Sequence, residues 1–324
     1  MKRIRRLLTA ATAAGAALGL AIGTAPAAGA LTAVDPVTAS PYLYQWGSVP
    51  NAANVMKSTG VKAFTLAFVL SDGGCNPKWD GSRALDGADA ALINTIRGAG
   101  GEVIPSFGGW SGNKLGQKCS SVSALAGAYQ KVISQYKLKA IDIDIEAGEF
   151  ENNAVQDRVL GALKTVKQNN AGLKVVITMP TEVGGPNSWG QRLIKQSKAL
   201  GADIDAWSVM PFDFSNGGDM VAKTKSAVDG LKNQLKSAYG WSDDQAYRRS
   251  GLSSMNGKTD NAGEVVSVAN YQAIRDYAAS KHLARFTFWA TNRDHGNCGG
   301  SSDSCSGIPQ GDFDFTKIVA GYQG

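Results

Sequence analysis

Six consecutive residues alternate an isoleucine with an acid, in the order Ile141-Asp142-Ile143-Asp144-Ile145-Glu146. A period of two is the pattern of a β-strand, so the three carboxyl groups should share one face while the isoleucines pack behind them. Positions on the same face of a strand lie about 7 Å apart. Carboxyl groups this close cannot all ionise independently, so we expect a coupled titration in which the outermost acid, Glu146, holds a proton.

Strand-like and helical segments alternate on both sides of this acid strand. The strand-like segments are 42–46, 63–70, 102–106, 141–146, 174–179, 204–210, 249–255 and 285–289, and helical spacing is clear between them, as in 122–136. This alternation predicts a parallel sheet with crossover helices. Eight strands over this length favour an α/β fold, a TIM (β/α)8 barrel, in which the active site lies at the C-terminal ends of the strands.

The first thirty residues have the pattern of a secretory signal peptide. Basic residues within 1–6 precede an apolar run over 7–22, and Ala28-Gly29-Ala30 supplies a small-x-small cleavage pattern. We therefore expect 1–30 to be removed on export, leaving 31–324 as one secreted, extracellular barrel domain with no membrane contact. A membrane anchor is the alternative, but the run is short and rich in alanine. Arg5-Arg6 leaves both Sec and twin-arginine export open.

Most of the excess positive charge belongs to this leader. Removing its four basic residues lowers the formal net charge from +6 to +2. No later segment carries an unbroken run of charge, so net charge gives no support for a nucleic-acid partner. We expect a monomer that does not bind nucleic acid.

The four cysteines form an even set in a chain expected to be exported. Disulfides are therefore expected rather than a metal site. Of the three possible connectivities we favour Cys75 with Cys119, which would join two neighbouring loops of a barrel, and Cys298 with Cys305, which would close a short loop rich in glycine and serine. Free buried thiols are the alternative.

The acid strand resembles the signature strand of glycoside hydrolase family 18, the chitinase family, whose pattern is Asp-x-x-Asp-x-Asp-x-Glu. The last three acids of that pattern fall on Asp142, Asp144 and Glu146. The first family acid falls on Lys139 and the family glycine on Ala140. The acid line is intact, but a cation stands below Asp142 where the family has a carboxylate.

Two further segments match family motifs at the ends of predicted strands. The Ser-x-Gly-Gly motif falls on Ser106-Phe107-Gly108-Gly109, where Gly108 and Gly109 would let the backbone approach a ligand or a neighbouring strand closely. Trp289 matches the family tryptophan under the sugar next to the cleaved bond, and a flat indole suits the apolar face of a pyranose. An ordinary turn and a buried core tryptophan are the alternative interpretations.

A third segment departs from its family motif. Met-x-Tyr-Asp falls on Met210-Pro211-Phe212-Asp213, so the tyrosine hydroxyl that helps to hold the substrate's N-acetyl group in the family is missing. Either Phe214 marks a variant of the pattern or another group supplies the donor. The resemblance implies Met210 and Asp213 as substrate-binding residues and Phe212 as an apolar wall; barrel core is the alternative for Met210 and Phe212.

Three tryptophans, Trp110, Trp46 and Trp79, follow or end other predicted strands and are candidates to extend a sugar-binding groove. Neither His282 nor His295 has the spacing of a metal ligand, so we expect both to be structural or at the surface. We therefore expect no metal and no cofactor.

The resemblance implies a chitinase that cleaves β-1,4 bonds between N-acetylglucosamine units with retention, acting on chitin or N-acetylglucosamine oligomers. Glu146 would be the acid/base and the substrate's acetamido oxygen the nucleophile; Asp144 would orient the acetamido group and Asp142 would share a proton with Asp144. One alternative is an endo-β-N-acetylglucosaminidase acting on N-glycan cores. Another is a chitin-binding lectin, which the presence of Glu146 disfavours. Endo or exo mode, chain-length preference and processivity stay open.

Overall fold

Eight parallel strands, numbered here β1 to β8, carry the fold. They are β1 (Tyr42–Tyr44), β2 (Ala63–Ser71), β3 (Glu102–Gly108), β4 (Ala140–Asp144), β5 (Lys174–Pro180), β6 (Ala206–Met210), β7 (Ser250–Met255) and β8 (Arg285–Trp289). Each strand pairs in parallel with the next one in chain order. The last strand, β8, is joined to the segment before β1 by a 2.9 Å hydrogen bond that the N–H of Phe286 donates to the carbonyl oxygen of Thr38. The predicted TIM barrel is confirmed.

The computed structural model describes residues 34–296, 298 and 300–324. Val34–Gly324 forms one compact unit. The expected signal peptide, residues 1–30, lies outside the described residues, and both the signal peptide and the domain boundary after it stay predictions. No helix in the described part of the chain is both long and apolar enough to cross a membrane.

Helices fill the connections between the strands. They are α1 (Ala52–Thr59), α2 (Ala88–Gly98), α3 (Leu115–Lys118), α4 (Val122–Tyr136), α5 (Ala147–Phe150), α6 (Asn153–Asn169), α7 (Ser188–Leu200), α8 (Met220–Tyr239), α9 (Asp243–Tyr247), α10 (Val268–Lys281) and α11 (Asp314–Ala320), with a 3₁₀ turn at Thr291–Arg293. α4 has the predicted bounds because Ser121 caps it, accepting a hydrogen bond from the N–H of Ala124. α4 buries an apolar stripe, which includes Tyr129 and Tyr136, against the barrel.

Short antiparallel strands lie outside the parallel barrel order. Pro77–Trp79 pairs with β2, Gly257–Lys258 with Val265–Val266, and Ser301–Ser302 with Cys305–Ser306. Both expected disulfides, Cys75–Cys119 and Cys298–Cys305, are present. The prediction of the disulfide pairing is therefore confirmed.

The acid strand divides its side chains between two environments, as its alternation predicts. Ile141, Ile143 and Ile145 are buried in the large core between the strands and the helices. Ala140 belongs to a separate apolar cluster with residues from β3, β5 and β6, which is the layer of side chains inside the barrel. Side chains two and four residues after Ala140 therefore face the barrel interior as well.

The predicted bounds of this strand are wrong at its C-terminal end. β4 ends at Asp144, two residues before Glu146, because α5 begins at Ala147. The N–H of Ile145 still donates to the carbonyl oxygen of Thr178 at 2.9 Å, and the backbone of Glu146 is still extended. The alternation therefore continues through Glu146 although the ladder has ended.

Candidate active site

Asp142 is held inside the barrel by three hydroxyl groups. Its Oδ2 atom accepts hydrogen bonds from Ser106 at 2.6 Å and from Tyr42 at 2.9 Å, and its Oδ1 atom accepts one from Thr178 at 2.8 Å. The donors lie on β3, β1 and β5, and Ser106 is directly opposite Asp142 in the parallel register. The orientation of this fully buried carboxyl group is thus fixed from three strands. The sharing of a proton with Asp144 stays a prediction.

Lys139 does not join the acid line. Its side chain is more than half exposed, and its Nζ atom lies 2.9 Å from Oε2 of Glu102. Arg97 binds the other carboxyl oxygen of Glu102 at 2.8 Å. The cation that replaces the first family acid is therefore paired at the N-terminal end of the neighbouring strand, and hydroxyl groups surround Asp142 instead.

Asp144 is the acid with an unsatisfied oxygen. It is buried, and no residue in the described part of the chain hydrogen-bonds to its Oδ1 atom. Burial raises the pKa of Asp144 well above its ordinary value, and the carboxyl groups of Glu146 and Asp142 raise it further, against the opposing influence of Lys114 and Arg285. A buried polar atom without a partner, beside groups with raised pKa values, is typical of a functional position.

The two glycines after Ser106 allow β3 to approach Asp144. The N–H of Gly109 donates to the carbonyl oxygen of Asp144 at 2.8 Å. A Cβ atom on Gly108 would lie 2.2 Å from that same oxygen, and one on Gly109 would lie 2.5 Å from the ring of Phe68. Both glycines also have positive φ angles, 111° and 84°. Glycine is required at both positions because a side chain would collide with the acid strand at Gly108 and with the ring of Phe68 at Gly109.

Glu146 lies at the mouth of the barrel and is partly exposed. Burial raises its pKa to about 7; the ammonium group of Lys114 opposes the shift and the carboxylate of Asp213 adds to it. Asp213, in the loop after β6, has a left-handed backbone and accepts a 3.2 Å hydrogen bond from the N–H of Asn261. The structure therefore brings Asp213 from the third motif into the electrostatic environment of the predicted acid.

An aromatic cluster stands beside the acids. The ring of Trp289 is stacked on that of Phe68, with centroids 5.6 Å apart, and on that of Tyr44 at 5.2 Å. Trp46 stacks on Tyr44 at 4.2 Å, and Tyr42 lies 5.7 Å from Trp289. Because Trp289 is only half-buried, this cluster offers a supported indole surface at the barrel mouth.

The remaining predicted site residues differ in how far they are exposed. Met210 is buried at the end of β6, and Phe212, whose N–H donates to the carbonyl of Met210 at 2.9 Å, is half-buried. Trp110 is 72% exposed in the loop after Gly109. The expectation for Trp79 is wrong: it is fully buried and its indole N–H donates to the hydroxyl of Tyr136 at 2.8 Å, because the short strand that carries it packs against α4.

The two histidines lie where the sequence places them. His282 is exposed and ends α10 in a left-handed conformation. The Nε2 atom of His295 is 2.7 Å from the carbonyl oxygen of Ser304. Both positions are structural.

Several residues of this site were not found from the sequence. Tyr42 and Thr178 are inward positions on β1 and β5, and only strand alternation combined with the barrel order could have placed them next to Asp142. Lys114 and Glu149 are charged residues near family motifs, yet both are buried, which is unusual for their types. Their proximity to the motifs was the available signal.

The chain is similar to known chitinases, although no family model matches it. It is 28% identical over 274 residues to a probable bifunctional chitinase/lysozyme of Escherichia coli (strain K12), covering 79% of this chain and 30% of that protein. It is 27% identical over 271 residues to Endochitinase 11 of Metarhizium anisopliae, covering 79% of this chain and 52% of that protein. The matched region thus spans less than two thirds of either curated relative.

A solved structure is similar over nearly its whole length. Catalytic-site mutants of active domain 2 of a thermostable chitinase from Pyrococcus furiosus, complexed with chito-oligosaccharides, give a TM-score of 0.80 at 28% identity, covering 90% of this chain and 97% of that one. All three similar proteins are chitinases by name. The predicted resemblance to family 18 chitinases is confirmed.

Proposed function

We propose that this chain is a family 18 glycoside hydrolase, a secreted chitinase that cleaves β-1,4 bonds between N-acetylglucosamine units with retention of configuration. The observation that carries the proposal is the line of Asp142, Asp144 and Glu146, which enters the barrel mouth beside Trp289 with the pKa of Glu146 raised to about 7. An acid with a pKa near neutrality can hold a proton for a leaving group and take one back later. Secretion rests on the leader pattern of the first thirty residues.

In the first step Glu146 gives its proton to the glycosidic oxygen as that bond breaks. The acetamido oxygen of the substrate attacks the anomeric carbon from the opposite face, and a cyclic oxazolinium ion forms. In the second step the Glu146 carboxylate takes a proton from water while the water oxygen opens the ring at the same carbon. Two inversions at one carbon give net retention.

Asp144 supports the acetamido group during both steps. Its free Oδ1 atom is an acceptor for the acetamido N–H, and its negative charge would stabilise the positive oxazolinium ion. Asp142 cannot turn towards the substrate while three hydroxyl groups hold it. Its role is therefore electrostatic: it raises the pKa of Asp144. That carboxyl group can then exchange its proton when the substrate binds.

Trp289 provides the surface under the sugar next to the scissile bond. Its indole is stacked on Phe68 and Tyr44, so its orientation is fixed before the substrate binds. Met210 and Phe212 would wall the acetamido pocket without supplying a hydroxyl donor. We propose a monomer that binds chitin oligomers and requires no metal or cofactor.

The test compares Glu146→Gln with Glu151→Gln, an exposed glutamate five residues later. The Glu146 variant should lose turnover of N-acetylglucosamine oligomers by a factor of about 10³ or more while still binding them, and the Glu151 variant should behave as the wild type. Proton NMR of fresh products should show the β-anomer first. Equal loss of binding and turnover would make Glu146 structural, and cleavage of a high-mannose glycoprotein in place of the oligomers would favour the endo-β-N-acetylglucosaminidase.

A further inference from the structure

A buried ammonium group lies behind the acid line. Lys114, in the loop between β3 and α3, is 3% exposed, and its Nζ atom donates a hydrogen bond to the carbonyl oxygen of Ser111. Burying a lysine charge is costly unless opposite charges compensate for it. Nearby carboxyl groups supply this compensation for Lys114.

The loop that carries Lys114 is anchored on both sides. The N–H of Ser71, at the end of β2, donates to the carbonyl oxygen of Asn113 at 2.8 Å. The N–H of Gly116 donates to Oε1 of Glu149 at 2.9 Å, and the disulfide between Cys75 and Cys119 ties the end of α3. The backbone on both sides of Lys114 is thus fixed, and the ammonium group is buried and hydrogen-bonded to Ser111.

The stretch 144–149, which carries three carboxyl groups, lies against the segment that holds Lys114: the N–H of Gly116 binds Glu149 at 2.9 Å and the N–H of Gly109 binds the carbonyl oxygen of Asp144 at 2.8 Å. Burial lowers the pKa of Lys114, and the carboxyl groups of Glu149, Glu146 and Asp144 oppose that shift. Lys114 in turn opposes the raised pKa of each of these three acids. Other charges also act on these acids. Asp213 acts on Glu146, and Asp142 and Arg285 act on Asp144.

We propose that Lys114 is a positioning residue for the acid/base step, because its fixed positive charge stabilises the carboxylate form of Glu146 that exists between proton donation and proton uptake. The inference rests on the proposed function. When Glu146 releases its proton, a negative charge appears in a mouth already occupied by Asp144 and Asp213. A cation that is already in place, and needs no reorganisation, offsets that charge.

Loss of the Lys114 charge should shift the pH dependence of the reaction in one direction. Lys114 favours the charged form of Glu146, so its removal should raise the pKa of that acid. Glu146 must be protonated for the first step, so the basic limb of kcat/KM should move to higher pH. The turnover number should fall at the same time, because Glu146 becomes a weaker proton donor.

The experiment measures pH profiles of kcat/KM on N-acetylglucosamine oligomers for the wild type, Lys114→Met and Lys114→Arg. The methionine variant should move the basic limb up by roughly one pH unit. The arginine variant, which keeps the charge, should leave it in place. A folded methionine variant with the wild-type limb overturns the inference, and so does an arginine variant whose limb moves as far as that expected for methionine.

A double variant covers the case in which Lys114→Met does not fold. Lys114→Met with Glu149→Gln removes both opposed buried charges and keeps an acceptor for the N–H of Gly116, so it should fold where the single variant fails. Its basic limb should still move upwards, and an unmoved limb overturns the inference. Wild-type protein that cleaves no oligomer would instead count against the proposed function, so the two failures are distinguishable.

Discussion

The hydroxyl group of Tyr42 donates a hydrogen bond of 2.9 Å to Oδ2 of Asp142, while the ring of the same residue lies 5.7 Å from that of Trp289. Tyr42 is fully buried on β1, the strand that pairs with β2 and stands at the beginning of the barrel order. One side chain therefore connects the acid line with the aromatic cluster. A change at Tyr42 should affect catalysis through Asp142 without removing the proposed sugar-binding surface.

Tyr42→Phe tests this connection. The substitution keeps the ring and removes one of three donors to Asp142, so we expect kcat to fall about tenfold with a smaller change in KM, and the free energy of unfolding to fall by about 1 kcal/mol. Tyr322→Phe is the matched control, since that hydroxyl donates at 2.6 Å to the carbonyl oxygen of Leu283. The control should lose similar stability and keep full kcat. A kcat of wild-type size in Tyr42→Phe would show that the hydroxyl only supports the fold.

The pKa of Glu146 predicts the alkaline side of the pH profile. Only the protonated acid can donate, so kcat/KM should decline above pH about 7, tenfold per pH unit once the limb is reached. Asp213 raises this pKa, so Asp213→Asn should move the limb to lower pH, opposite to the shift expected from losing Lys114. An unchanged limb in an active Asp213→Asn variant would contradict the electrostatic role of this residue.

Glu149 links the same region to stability. Burial raises the pKa of Glu149 from 4.5 to about 7, against Lys114 and the N–H of Gly116. A carboxyl group whose pKa is higher in the folded state stabilises the fold fully below its unfolded pKa, and this contribution is lost as pH rises through the folded pKa. The wild type should therefore lose stability between pH 5 and pH 8, by at most about 3 kcal/mol from this group.

The measurement is urea unfolding of the wild type and Glu149→Gln across that pH range. Other acids with raised pKa values, such as Asp294 at about 6, change stability in the same direction and are common to both proteins. The informative quantity is therefore the difference between the two proteins, which should favour the glutamine variant increasingly as pH rises. A difference that does not change with pH would mean that Glu149 has the same pKa in the folded and unfolded states, and would contradict its raised pKa.

The barrel and the acid line could be predicted because their signals are local. Alternation placed Asp142 and Asp144 on the inner face of β4, and helical periodicity gave the bounds of α4. The end of β4 was placed wrongly because the extended backbone continues through Glu146, and only the ladder and α5 reveal where the strand stops. The role of Asp213 beside Glu146 depended on the family motif, which the structure places at the same end of the barrel.

The environments that depend on packing between distant segments could not be predicted. The sequence shows Lys139 next to the acids, but its partner, Glu102, comes from the start of another strand. In the sequence Lys114 and Glu149 look like ordinary surface charges. In the structure both are buried, beside a disulfide, a glycine contact and two short helices. Trp79 looks like a groove residue until its strand pairs with β2.

The two disulfides should differ in their effect on stability. Cys75–Cys119 spans 44 residues and Cys298–Cys305 spans 7, and the loss of chain entropy in the unfolded state grows with the length of the closed loop. We expect Cys75→Ala with Cys119→Ala to lower the free energy of unfolding by about 4 kcal/mol, and Cys298→Ala with Cys305→Ala by about 2 kcal/mol. The first bridge also anchors α3 beside Lys114, so its loss should reduce kcat as well. Denaturant unfolding and oligomer hydrolysis of both double variants check this, and a larger loss of stability from the shorter loop would contradict the entropic argument.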